Sequence, residues 1–351
     1  MHRQRLMAIF VGLPLVVVVG CTRSDNGGTT RAGETPTRRP ASAEASTSTP
    51  APTSARVDPV SIPGLIKRPH HGSDLRLGSV LARNDAYTRY AITYRSDGLT
   101  ISGIMNIPRG KGPFPAVVLA HGYIDPATYT TGQGTPREQD LLARRGYVVL
   151  HTDYRNHAGS GKDPDNDVDL RLGYTQDVIG AVLALRSSGR PEIDGNRVGL
   201  LGRSEGGGVV YNTLVVAPGL VDAAVVYAPV SSRPAQNVER FQRHPQPGWG
   251  PPDPVVREID KKHGTPRGIP AFWKDVAPVT YADRMTEPLL IQHGTADNIC
   301  PVAWSEQTAA AFRAAGKDVE LRKYPGEGHT FGPRWRASMD VTLDFFAQHL
   351  H

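Results

Sequence analysis

Apolar, aromatic and β-branched residues of strand-like composition lie on both sides of Ser96-Asp97-Gly98, and this pattern predicts a β-hairpin with strands over 87–94 and 100–107. Five short apolar runs follow, at 116–120, 147–152, 198–201, 223–227 and 289–292. Continuous runs of this length read as strands buried on both faces, as in a parallel sheet. Helical spacing lies between most of them, notably over 175–186, where Val178, Val182 and Leu185 fall on one face. Further helices are predicted at 208–217, 302–315 and about 335–350, with a last strand at 319–324. A hairpin leading into repeated strand and helix units predicts an α/β domain with a mostly parallel, doubly wound sheet covered on both faces.

The amino terminus breaks this pattern. Arg3 and Arg5 precede an apolar run over 6–19 that ends in Val18-Val19-Gly20-Cys21. The run is about 14 residues, short of the roughly 20 that a spanning helix needs. It reads as a signal peptide over 1–20. Small residues before a cysteine resemble a bacterial lipobox, so Cys21 is the expected lipidation site. The expected location is the extracytoplasmic side of a bacterial membrane, held by a lipid anchor. From 22 to 60, 27 of 39 residues are Ala, Gly, Pro, Ser or Thr and none is aromatic. Such a segment buries too little apolar surface to offset its chain entropy, so 21–60 is expected to be a disordered tether and 61–351 the folded domain.

Composition adds limits. Of 351 residues 39% are hydrophobic and 21% charged, which excludes collagen, coiled coil and a wholly disordered chain. The 40 basic side chains exceed the 34 acidic ones, and loss of Arg3 and Arg5 with the signal peptide narrows the surplus to +4. With no basic run longer than two residues, nucleic acid is not an expected partner. Two cysteines, Cys21 and Cys300, exclude a disulfide framework, and Cys300 is expected to be a buried small apolar residue.

The chemistry is concentrated in three places. Gly202-Arg203-Ser204-Glu205-Gly206-Gly207 follows one predicted strand and opens a helix, the required setting of a G-x-S-x-G nucleophile elbow. A serine hydroxyl is nearly inert at neutral pH unless a base takes its proton and a carboxylate orients that base. His293-Gly294-Thr295-Ala296-Asp297 follows the strand at 289–292, and Pro325-Gly326-Glu327-Gly328-His329 follows the strand at 319–324. Ser204, Asp297 and His329 are therefore the candidate nucleophile, acid and base, in the chain order that this elbow motif uses. The tetrahedral oxyanion needs two backbone donors, for which Glu205 and Tyr123, in the loop after 116–120, are the candidates. The histidines form no metal-binding spacing, and neither metal nor cofactor is implied.

Together the elbow, the stretch from Pro288 to Asp297, Gly326-Glu327-Gly328-His329 and Asp153-Tyr154-Arg155 resemble the α/β-hydrolase superfamily. The nearest branches are prolyl oligopeptidase-like and dienelactone hydrolase-like enzymes. The resemblance implies the α/β-hydrolase fold over about 85–350, with Ser204, Asp297 and His329 as its triad. This chain departs from those branches at Ser204, where dienelactone hydrolases carry cysteine. His121-Gly122 stands where the peptidases carry a Tyr-Gly pair, and too few residues precede the domain for a propeller. An insertion over 231–287, with Phe241, Trp249, Phe272 and Trp273, is expected to act as a lid or pocket wall. The expected activity is hydrolysis of carboxylic esters through an acyl-enzyme, on a small ester or short peptide-like substrate. A peptidase or amidase with the same triad and a non-catalytic surface binding protein are the alternatives.

Overall fold

The computed structural model of the chain describes residues 57–247 and 250–350. The expected signal peptide, the lipidation site Cys21, nearly all of the tether and Trp249 lie outside the described residues. The last tether positions do not behave as expected: Val60 packs against the core, and its amide is held by Asp58 Oδ1 at 2.8 Å. Ser61 then caps α1 (Ile62–Lys67), its Oγ accepting from Gly64 N at 3.0 Å.

Among the described residues nine strands form one sheet: β1 (Gly72–Arg83), β2 (Tyr87–Ser96), β3 (Leu99–Pro108), β4 (Phe114–Ala120), β5 (Val148–Thr152), β6 (Ile193–Arg203), β7 (Ala223–Tyr227), β8 (Leu289–Gly294) and β9 (Val319–Tyr324). Their spatial order is β1-β2-β3-β5-β4-β6-β7-β8-β9. The pairs from β1 to β5 across β2 and β3 are antiparallel, and all the rest are parallel. The hairpin is as expected, with Ser96 opposite Leu99 and a two-residue turn in which Asp97 and Gly98 have φ of 43° and 84°. Two positive φ values match the right-handed twist of the flanking strands. Strand β1 was not legible, because it is an edge strand whose mostly exposed residues carry no buried face.

The continuous apolar runs are explained by burial on both faces. On β4, Ala116, Val118 and Ala120 enter one core while Val117 and Leu119 enter the other. On β7, Ala224 and Val226 face the first core, and Ala223, Val225 and Tyr227 the second. Helices α2 (Pro136–Arg144), α3 (Gly173–Ser187), α4 (Glu205–Val216), α8 (Val302–Ala314) and α9 (Trp335–His349) cover the sheet. The structure thus has the α/β-hydrolase fold. Between β7 and β8 the expected long loop is largely helical: α5 (Pro234–Asn237), a π-helix (Val238–Arg243), α6 (Val255–His263), α7 (Pro270–Asp275) and a 3-10 helix (Pro278–Arg284).

Candidate active site

Ser204 stands between β6 and α4 with φ 55° and ψ −119°, a conformation that side chains adopt only under constraint. The constraint is visible. Its amide donates to Tyr227 O at 2.9 Å, and its carbonyl accepts from Gly207 N at 2.9 Å and Val230 N at 3.0 Å. The flanking glycines are dictated by space: a Cβ on Gly202 would lie 2.3 Å from Gly206 O, and one on Gly206 would lie 2.0 Å from Ala120 O. The turn lies at the carboxyl end of the parallel strands, where open α/β sheets bind ligands.

Asp297 follows β8, and its side chain is fully buried. Oδ2 accepts from His329 Nδ1 at 2.8 Å and from His293 Nε2 at 3.1 Å, and Oδ1 accepts from the amides of Ile299 and Cys300, both at 2.9 Å. Burial alone would raise this carboxyl, but the hydrogen bonds from His293 and His329 outweigh it and hold Asp297 well below the usual carboxylate range. The carboxylate also fixes the tautomer of His329: Nδ1 carries the proton, which leaves Nε2 as the basic nitrogen. A Cβ on Gly294 would lie 2.2 Å from Glu327 O, so only glycine lets the two loops meet, and Gly326, at φ 79°, turns the chain toward His329.

Ser204 and His329 line one cavity of about 470 Å³. Its walls are mainly apolar, with Leu170, Leu172, Val209 and Val230, and the inserted region adds Val238 and Phe241. Phe272 and Trp273, also singled out there, have structural roles instead. Phe272 stacks on His263 at 4.3 Å, and Trp273 Nε1 donates to Gly264 O at 3.0 Å. Among the described residues no hydrogen bond joins Ser204 to His329; such contacts are often long before substrate enters and tighten in the complex. Cys300 is fully buried beside them. Burial pushes its thiol far up and the Asp297 charge adds to this, so the thiol stays protonated and is no rival nucleophile.

The two candidate oxyanion donors flank Ser204. Glu205 is the first residue of α4, where amides have no intrahelical acceptor. Tyr123 is next to Gly122, where an added Cβ would lie 3.7 Å from Ser204 Oγ. This loop is held from behind by buried rings. Tyr154 OH donates to His121 O at 3.2 Å, and a ring nitrogen of His157 lies 3.1 Å from Ile124 O. Three nearby side chains have roles that the sequence alone does not disclose. His293 braces Asp297, Arg203 Nη2 donates to Thr330 O at 2.8 Å, and Arg171 pairs with Glu205 at 2.8 Å.

The prolyl oligopeptidase family model matches residues 134–351, more than half of the chain and all three candidate triad positions. The chain belongs to the prolyl oligopeptidase family. It is 29% identical over 268 residues to dipeptidyl aminopeptidase BIII of Pseudoxanthomonas mexicana, across 72% of this chain and 37% of that protein. It is 27% identical over 271 residues to a monoacylglycerol lipase of Mycolicibacterium smegmatis (strain ATCC 700084 / mc(2)155), across 69% of this chain and 90% of the lipase. The acylaminoacyl peptidase of Pyrococcus horikoshii shares the fold, with a TM-score of 0.60 at 20% identity over 76% of this chain and 42% of that one. The chain thus spans under two-fifths of the length of the dipeptidyl aminopeptidase. Family and fold together place it in the α/β-hydrolase superfamily.

Proposed function

We propose that this family member cleaves amide bonds of short peptide-like substrates through an acyl-enzyme on Ser204. The observation that carries the reading is the 2.8 Å contact of His329 Nδ1 with the buried Asp297 carboxylate, at the rim of the cavity that Ser204 also lines. Ser204 Oγ attacks the substrate carbonyl as its proton passes to His329 Nε2, and the amides of Tyr123 and Glu205 receive the oxyanion. His329 then gives that proton to the departing amine. Water attacks the acyl-enzyme, its proton goes to His329 and then to Ser204, and the acid is released. Asp297 stays ionised and holds the imidazolium. Peptidases among the relatives favour amides over the esters expected from sequence. Ester cleavage is the second reading, supported by the alignment with nearly the whole monoacylglycerol lipase.

Aminoacyl anilides and short acyl aryl esters, measured side by side, test the choice. The proposal expects anilide turnover that disappears in Ser204→Ala. Ester kcat/KM more than about a hundredfold above that of every anilide would favour the ester reading. Anchoring through Cys21 is likewise proposed, on sequence alone; Cys21→Ser is expected to move the protein out of the membrane fraction, and unchanged retention would contradict it.

A further inference from the structure

The two proposed oxyanion donors lie 82 positions apart in the chain, yet their side chains meet on one guanidinium. Arg171 lies 4.4 Å over the Tyr123 ring, its Nη1 contacts Glu205 Oε1 at 2.8 Å and its Nε contacts Asp167 Oδ1 at 2.7 Å. We infer that Arg171 is a positioning residue that clamps Tyr123 to Glu205 and so sets the spacing of the two amides that receive the oxyanion. The inference rests on the oxyanion assignment made above.

Arg171 is built to be rigid. Leu170 and Arg171 have φ of 54° and 57°, a strained pair of non-glycine conformations that the surroundings must hold. The Arg171 amide donates to Asn166 O at 2.7 Å, and its carbonyl accepts from Tyr174 N at 3.1 Å, at the start of α3. Its side chain is only 18% exposed. Tyr123 needs such a support: it is 54% exposed, and among the described residues its ring stacks on no other side chain. A flat guanidinium can stack on a ring with its face while its edge pairs with carboxylates, which a lysine cannot do. A donor displaced by a fraction of an ångström stabilises the oxyanion less while ground-state binding is barely changed. Loss of the clamp therefore lowers kcat rather than raising KM.

The test compares kcat, KM and thermal midpoint for Arg171→Met, Glu205→Gln, Tyr123→Ala, Tyr123→Phe and the double variant Arg171→Met/Glu205→Gln, with Ser204→Ala as reference. Arg171→Met is expected to lower kcat about tenfold or more, with KM within about threefold. Tyr123→Ala should fall further than Tyr123→Phe, which keeps the ring. The double variant should be no slower than the slower single one, because both remove the same link. Wild-type kcat in Arg171→Met and Tyr123→Ala, with Ser204→Ala inactive, overturns the clamp and leaves the nucleophile standing. A rise in KM alone also overturns it and makes Arg171 a substrate contact. Activity surviving in Ser204→Ala removes the functional reading itself. If Arg171→Met does not fold, Tyr123→Ala decides: wild-type kcat there overturns the clamp.

Discussion

Arg203 and Thr330 are joined by a 2.8 Å hydrogen bond from Nη2 to the backbone carbonyl, which ties the residue before Ser204 to the residue after His329. Arg137 Nη2 donates to the same carbonyl at 2.7 Å. Beneath them Glu138, nearly fully buried, accepts from Trp335 Nε1 at 2.9 Å and lies 3.8 Å from Arg203 Nη1. The nucleophile turn and the histidine loop are thus braced against each other by side chains that never reach the cavity.

Arg203→Met should therefore act twice. It removes a charged donor and leaves Glu138 without its nearest cation, which costs about 1–3 kcal/mol of unfolding free energy in urea titration. It also loosens His329, so kcat falls more than KM rises. Unchanged stability together with unchanged kcat would remove the brace from the account.

Gly206→Ala should be far more damaging than its single methyl suggests. Its Cβ would lie 2.0 Å from the backbone oxygen of Ala120, where no flexible side chain can give way. The expected result is loss of soluble folded protein, or a thermal midpoint lowered by several degrees with activity lost. Gly326→Ala offers the comparison, since nothing lies within 4 Å of a Cβ there and only the positive φ opposes it. A Gly206→Ala protein as stable as Gly326→Ala would contradict the close packing of α4 against β4.

Acid should weaken the protein through His121 before it reaches the carboxylates. Burial pushes His121 down to about 4, against about 6.5 for an exposed histidine. A depressed histidine is neutral in the fold, so its contribution is complete above about pH 6.5 and is lost as the pH falls toward 4. The loss amounts to roughly 3 kcal/mol at most. His151 is lowered by burial too and adds in the same direction. Urea unfolding between pH 7 and pH 4.5 should show a steeper loss for the wild type than for His121→Gln, and equal slopes would mean that His121 is not held neutral.

The parts of the fold that the sequence discloses are those where one local rule decides. Strands β4 to β8 are apolar on both faces and so read as runs, and Ser204, Asp297 and His329 each sit in a short glycine-marked turn that follows a strand. Strand β1 is paired on one side only, so its exposed positions gave no pattern. The helices between β7 and β8 were hidden by prolines that open helices, as at Pro234 and Pro270, rather than break them. Arg171 and Arg203 depend on partners 34 and 127 positions away, and no local pattern encodes such contacts.

The proposed chemistry depends on Ser204 being a nucleophile activated by His329. The most direct measurement is the intact mass and the modified peptide after reaction with a fluorophosphonate, for the wild type, Ser204→Ala and His329→Ala. One stoichiometric adduct is expected on Ser204 in the wild type, none in Ser204→Ala, and labelling slowed by orders of magnitude in folded His329→Ala. An adduct on another residue, or wild-type labelling without His329, would contradict it.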